Sequence, residues 1–173
     1  MSISHYESLF SDVAMAGVHH LPHGPIDDLV AGASAAGCLV LRADLATARD
    51  KERMLDCVAK ALRFPEWFGH NWDALADSLM DMGWLPAAGY VVILDHCDGI
   101  HGRAESDFVK LVQVFQDAAD TWREDDVGFW CLVDMQADGV VGRRFQVDDD
   151  TGAAAADGLG AQFGQVTEVP EVA

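Results

Sequence analysis

The residues best suited to chemistry in this 173-residue chain lie between Phe64 and Asp81. The run opens Phe64-Pro65-Glu66-Trp67-Phe68-Gly69-His70-Asn71-Trp72-Asp73-Ala74-Leu75-Ala76-Asp77. On a helix, Asp73, Asp77 and Asp81 recur at i, i+4 and stack into one column. Like charges at that spacing cost roughly 0.2–0.5 kcal/mol per pair in an isolated helix. Asp73, in the first turn, is compensated by the positive end of the helix dipole; Asp77 and Asp81 are not. No Lys or Arg falls between Arg63 and Arg103, whereas Glu66, Asp73, Asp77, Asp81, Asp95 and Asp98 all do. Either a cationic partner neutralises this locally uncompensated acid, or the column is a solvated helix face.

Trp67 and Phe68 follow Pro65 in a segment too short to bury both. An aromatic pair beside carboxylates has the composition of a protein-binding hot spot. One of the two rings is expected to pack under the loop as core, and the sequence does not say which. Asp117 belongs to a different helix. At about 100° per residue, Phe108, Leu111, Phe115 and Trp122 share a face there, and Asp117 points nearly opposite, into solvent.

Two histidine groups raise a metal reading: His19, His20 and His23, and Asp95, His96, Cys97, Asp98 and His101. Neither matches HExxH, paired CxxC or a calcium loop, so no metal and no cofactor are expected. His70 with Asp73 and Asp77 could line a carboxylate site, but no second cluster completes a catalytic set. An enzyme or metal protein using His70 or the His96–His101 loop is therefore the third-ranked reading. Gly158-Leu159-Gly160 follows no convincing strand and is no dinucleotide fingerprint, and neither GxSxG nor a P-loop occurs.

These side chains need elements to hold them. Met54, Leu55, Val58 and Leu62 recur at helical spacing and predict a helix over 50–63, broken by Pro65. Asn71 is a good N-cap for a second helix, Trp72–Met82, which Gly83 closes. A long helix is expected from Glu105 to about Trp122. Cys38–Leu41, Tyr90–Leu94 and Phe129–Val133 are apolar runs of buried-strand length, and Val18–Leu21 is a short strand candidate. Pro25 opens a helix that Gly37 stops. Residues 1–17 carry weak patterning and are expected to fray or lie on the surface. Asp95–Gly102 reads as a loop. Strands alternating with helices indicate an α/β fold: a short parallel sheet of three strands, or four with Val18–Leu21, packed with helices. After about Met135 the composition turns to Gly, Ala and Asp. Either a hairpin of Val140–Val147 and Phe163–Val169 or partial disorder is expected there.

The charge balance is 29 acids against 11 basic residues, a net charge of -18. Such a chain repels nucleic acid and anionic membranes, and its field draws in a basic partner. No membrane span is evident. With Arg42 the first Lys or Arg, no signal peptide is expected either. Cys38, Cys57, Cys97 and Cys131 are widely spaced, which suits free thiols in a reducing cytoplasm.

The stretch Cys38 to Asp134 resembles the barstar family of intracellular inhibitors of a secreted bacterial ribonuclease. The most specific part is Pro65-Glu66-Trp67-Phe68-Gly69-His70-Asn71-Trp72-Asp73-Ala74-Leu75-Ala76-Asp77. It follows the family pattern of Pro-Glu, two aromatics, Gly, a variable residue, Asn, an apolar residue, Asp-Ala-Leu, one more residue, then Asp. Val114-Phe115-Gln116-Asp117-Ala118 is a second match, with an acid at the family's position. The resemblance implies a small barstar fold over 38–134. Residues 1–37 become an N-terminal extension, a short strand and helix packed on the core, and 135–173 a C-terminal one. It also implies a non-catalytic immunity protein whose carboxylates replace the substrate's phosphates in a ribonuclease active site. Trp67, Phe68, Gly69, Asn71 and Trp72 would form the loop and helix-start contacts, Asp73 and Asp77 the principal carboxylates, and Asp117 a supporting one. Trp67 and Phe68 stand where the family usually has tyrosines, and Ala76 where it has a tryptophan. Those departures point to a different basic ribonuclease or toxin. They also leave open a binding module for another basic protein, with no ribonuclease inhibition.

Overall fold

The computed structural model describes residues 2–22 and 24–135. Its sheet has four parallel strands, β1 (Gly17–His20), β2 (Cys38–Asp44), β3 (Gly89–Asp95) and β4 (Gly128–Val133), in the order β1-β4-β3-β2. Helices α1 (Ile3–Phe10) and α2 (Ile26–Ala35) precede β2. Next come α3 (Lys51–Ala61) and α4 (Trp72–Asp81), and α5 (Asp98–Arg103) and α6 (Glu105–Glu124) join β3 to β4. The α/β architecture expected from the alternating runs is present, and Val18–Leu21 does supply a fourth strand, one residue earlier than expected.

β3 and β4 are buried along their whole length because both sheet faces are covered. The pleat sends alternate side chains to opposite sides. Val91, Ile93, Trp130 and Leu132 meet Tyr6, Phe10, Leu29 and Ala33 of α1 and α2. Tyr90, Val92, Leu94, Phe129 and Cys131 meet Leu55, Leu75, Leu79, Phe108 and Phe115 of α3, α4 and α6. Each such apolar side chain contributes about 1.5–3 kcal/mol when fully buried.

The N-terminal residues depart from the expectation of a frayed segment. Ser2 accepts from the His5 N–H and caps α1, while Tyr6 and Phe10 are buried, Phe10 edge-on to Trp130 at 5.1 Å. Only Tyr6 and Phe10 of α1 are fully buried, too few to give a clear periodic signal. Gly32 of α2 permits the packing. A Cβ there would overlap the Tyr6 Cβ and lie 2.8 Å from the Ile3 carbonyl. β1 is held at the sheet edge by α6: Gln116 Oε1 accepts from the Val18 N–H (3.1 Å), and Arg123 Nη2 donates to the Ala16 carbonyl (2.6 Å).

Three further expectations change. The stretch after Asp95 holds a helical turn, α5, anchored by buried Ile100. Helix α4 ends on Met82, which takes the left-handed conformation (φ 52°) expected of Gly83. Complete burial of the Met82 side chain offsets the backbone cost of about 1–2 kcal/mol. Asp95 is not uncompensated: the Arg42 guanidinium grips it with two hydrogen bonds, of 3.0 and 2.9 Å. The hairpin suggested beyond Met135 lies outside the described residues.

Candidate functional site

Helix α3 begins at Asp50, whose side chain accepts from the Arg53 N–H, and unwinds at Arg63 (φ 56°) ahead of Pro65. The chain then turns sharply, with the Phe68 N–H donating to the Pro65 carbonyl (3.0 Å). This turn separates the aromatic pair. Phe68 is 6% exposed and stacks obliquely on Phe64 at 4.8 Å, so it is the ring that serves as core. Trp67 is 64% exposed. Its ring stands edge-on to Trp84 at 6.1 Å, and the Trp84 indole N–H is tied to the Leu62 carbonyl (3.0 Å). The loop therefore presents one indole to solvent, edge-on to a tethered one.

Asn71 caps α4. Its Oδ1 accepts from the Ala74 N–H (2.7 Å) and its Nδ2 donates to the Gly69 carbonyl (3.3 Å). Both polar ends thus serve the local fold, which makes Asn71 first of all a positioning residue. Gly69 is exposed beside it, and a Cβ there would sit 3.2 Å from the Asn71 Nδ2. Trp72 is half-buried against the core on the helix flank. Asp73, Asp77 and Asp81 are all exposed, and among the described residues no ion pair reaches any of them. Helix α4 packs on α6, where the Trp122 indole N–H donates to the Leu79 carbonyl (2.8 Å). Asp117 of α6 is exposed and accepts a hydrogen bond from Gln113 (3.0 Å).

His70 does not join the carboxylates. Its backbone is left-handed (φ 53°), its Nδ1 faces the Phe68 carbonyl at 3.2 Å, and its Nε2 faces Asp56 of α3 at 3.8 Å. Among the described residues no group of three or more His, Cys, Asp or Glu could hold a metal ion. His19 is buried with its Nε2 on the Met15 carbonyl, and His23 lies outside the described residues. His96 pairs with Asp44 at 2.8 Å. The Ala46 N–H and then His96 hold the Asp44 carboxyl below its ordinary range, while the hydrogen bond to Asp44 raises the His96 imidazole. The four cysteines are free thiols. Burial pushes Cys38 up to about 11 and Cys97 and Cys131 upward as well, as befits packing groups rather than nucleophiles.

The arrangement is thus an exposed acidic helix led by an exposed tryptophan, with Trp84 as the neighbouring ring that sequence spacing did not reveal. A family model described as "Barstar (barnase inhibitor)" matches residues 38–134, more than half of the chain. The chain belongs to the barstar family. The match begins at the first residue of β2 and ends just after β4. Within this barstar-family chain, α1, β1 and α2 therefore lie before the matched region and contribute an edge strand and a helical layer. No curated protein matches the sequence. No helix among the described residues is long and apolar enough to cross a membrane.

Proposed function

We propose that this chain is a cytoplasmic, non-catalytic inhibitor that binds a basic ribonuclease or other basic toxin and occludes its active site. The observation that carries this reading is the outward column Asp73, Asp77 and Asp81 on α4, which no cation of the described chain neutralises. Such a column stands where a ribonuclease would otherwise hold successive phosphates, and the Arg, Lys and His that grip phosphate suit carboxylates equally well. Asp73 and Asp77 are the principal contacts, and Asp77, near the middle of the exposed face, is the dominant one. Asp117 supports them from α6. Trp67 supplies the large rigid apolar contact that excludes water at the rim of the charged pairs. Asn71 and Gly69 set the loop, Phe68 holds it from below, and Trp72 contributes its exposed edge.

The family match and the charge balance support this reading. The test is calorimetric titration of the full chain into a panel of basic bacterial ribonucleases, with RNA cleavage followed in parallel. One-to-one binding that abolishes cleavage is expected. A second reading, a module for some other basic protein, draws on Trp67, Phe68 and Ala76, which remove two phenol hydroxyls and a tryptophan from the family pattern. Absence of binding to every ribonuclease in the panel would favour it.

A further inference from the structure

Three large apolar side chains are exposed among the described residues: Ile3, Trp67 and Met80. Trp67 leads into α4, and Met80, 37% exposed, sits on α4 itself. At about 100° per residue, Met80 falls roughly 20° around the helix from Asp73 and roughly 60° from Asp77. Leu75, Ser78, Leu79 and Met82 are buried on the opposite side. Met80 thus occupies the same outward face as the carboxylates, one turn beyond Asp77. Ala76 precedes it by one turn, half-buried, with only a methyl group to fill the space between Trp72 and Met80. The acidic face therefore carries an apolar strip, Trp72, Ala76 and Met80, at its side.

We propose that Met80, with the small Ala76 beside it, is a specificity-determining contact of this face. Its partner is a basic protein that presents an aromatic side chain beside two cationic ones. The cations meet Asp73 and Asp77, and the aromatic ring lies over Ala76 against the Met80 thioether. This inference rests on the reading that α4 receives a basic protein. A thioether is flexible and polarisable and packs well against aromatic edges. A neighbouring apolar contact also keeps water from the carboxylate pairs, which strengthens them. The unneutralised carboxylates set the charge of the partner, and the methyl at position 76 leaves room for a ring that a larger side chain would exclude.

The test uses the full chain labelled at its methionine methyl groups and two synthetic peptides of equal charge, Lys-Lys-Trp-Lys-Lys and Lys-Lys-Gly-Lys-Lys, at low salt. Both peptides are expected to shift the backbone amide signals of Asp73 and Asp77 in NMR spectra. Only the tryptophan peptide should shift the Met80 methyl signal, through its ring current. A Met80 signal that stays in place while the tryptophan peptide shifts those amides overturns the proposal. Failure of both peptides to move the amides instead overturns the basic-partner reading beneath it. With any ribonuclease of the panel that binds, Met80→Ser should weaken affinity about tenfold and Met80→Leu by less than about threefold. Unchanged affinity in Met80→Ser overturns the proposal while leaving the inhibitor reading intact.

Discussion

Removing the central carboxylate of α4 should make the free protein more stable while making it a worse binder. Asp77 faces like charges on both sides, Asp73 one turn before and Asp81 one turn after, with no described ion pair to relieve them. Each i, i+4 repulsion is worth roughly 0.2–0.5 kcal/mol, so Asp77→Asn should stabilise by about 0.4–1 kcal/mol. Asp77→Ala adds the better helix propensity of alanine, up to about 0.7 kcal/mol, for a total of about 0.4–1.7 kcal/mol. At about 2–4 °C per kcal/mol for a chain of this size, the alanine variant should melt a few degrees higher. The assay is urea unfolding of both variants and the wild type at low and at high salt. The Asn gain is electrostatic and should shrink as salt screens the exposed column; the additional Ala gain should persist. The same variants should lose affinity for whichever basic ribonuclease the wild type binds. A loss of stability in Asp77→Asn, or a gain independent of salt, would refute the claim that the column is self-repelling.

Other consequences are equally concrete. Trp67→Ala should change unfolding stability by less than about 1 kcal/mol, whereas Phe68→Ala, which empties a buried position, should cost about 3–5 kcal/mol in urea melts. Phe10→Ala should cost about 3–5 kcal/mol for the same reason, and would show by near-ultraviolet circular dichroism a changed environment for Trp130, its edge-on neighbour. His96 should titrate above the ordinary histidine range by NMR, and Asp44→Asn should bring it back down. Because the folded state raises the His96 pKa, the pair's small contribution is fully present below the unfolded histidine value. It is lost as pH rises through the folded one. At the acid end it is lost again as pH falls through the lowered Asp44 value and the carboxylate that holds His96 takes up a proton.

The parallel sheet was legible because both faces of β3 and β4 are covered, which turns each strand into an unbroken apolar run with no competing period. The start of α4 was legible for a local reason: Asn71 followed by an apolar-periodic segment is a cap whose hydrogen bond lies three residues away. Its end was not, since the left-handed stop fell on Met82, and only tertiary burial of that side chain explains it. Helix α1 was invisible because two aromatic residues in eight carry its packing, and Trp130, the edge-on partner of Phe10, lies over a hundred residues away. Within the site, spacing placed the carboxylates correctly on one helix. The division of labour between Trp67 and Phe68 was not legible. It depends on a turn closed at Pro65 and on Trp84, which reaches the loop from beyond α4. Asp95 appeared unpaired because its cation, Arg42, comes from the neighbouring strand.

The central claim is that the carboxylates of α4 occupy the phosphate-binding centre of a basic ribonuclease. The most direct measurement is competition on a ribonuclease that binds the full chain, using a mononucleotide that fills the enzyme's active site. The account predicts mutually exclusive binding, with the apparent affinity of the chain falling in proportion to nucleotide concentration and no ternary complex at saturation. A stable ternary complex of ribonuclease, nucleotide and chain would contradict it.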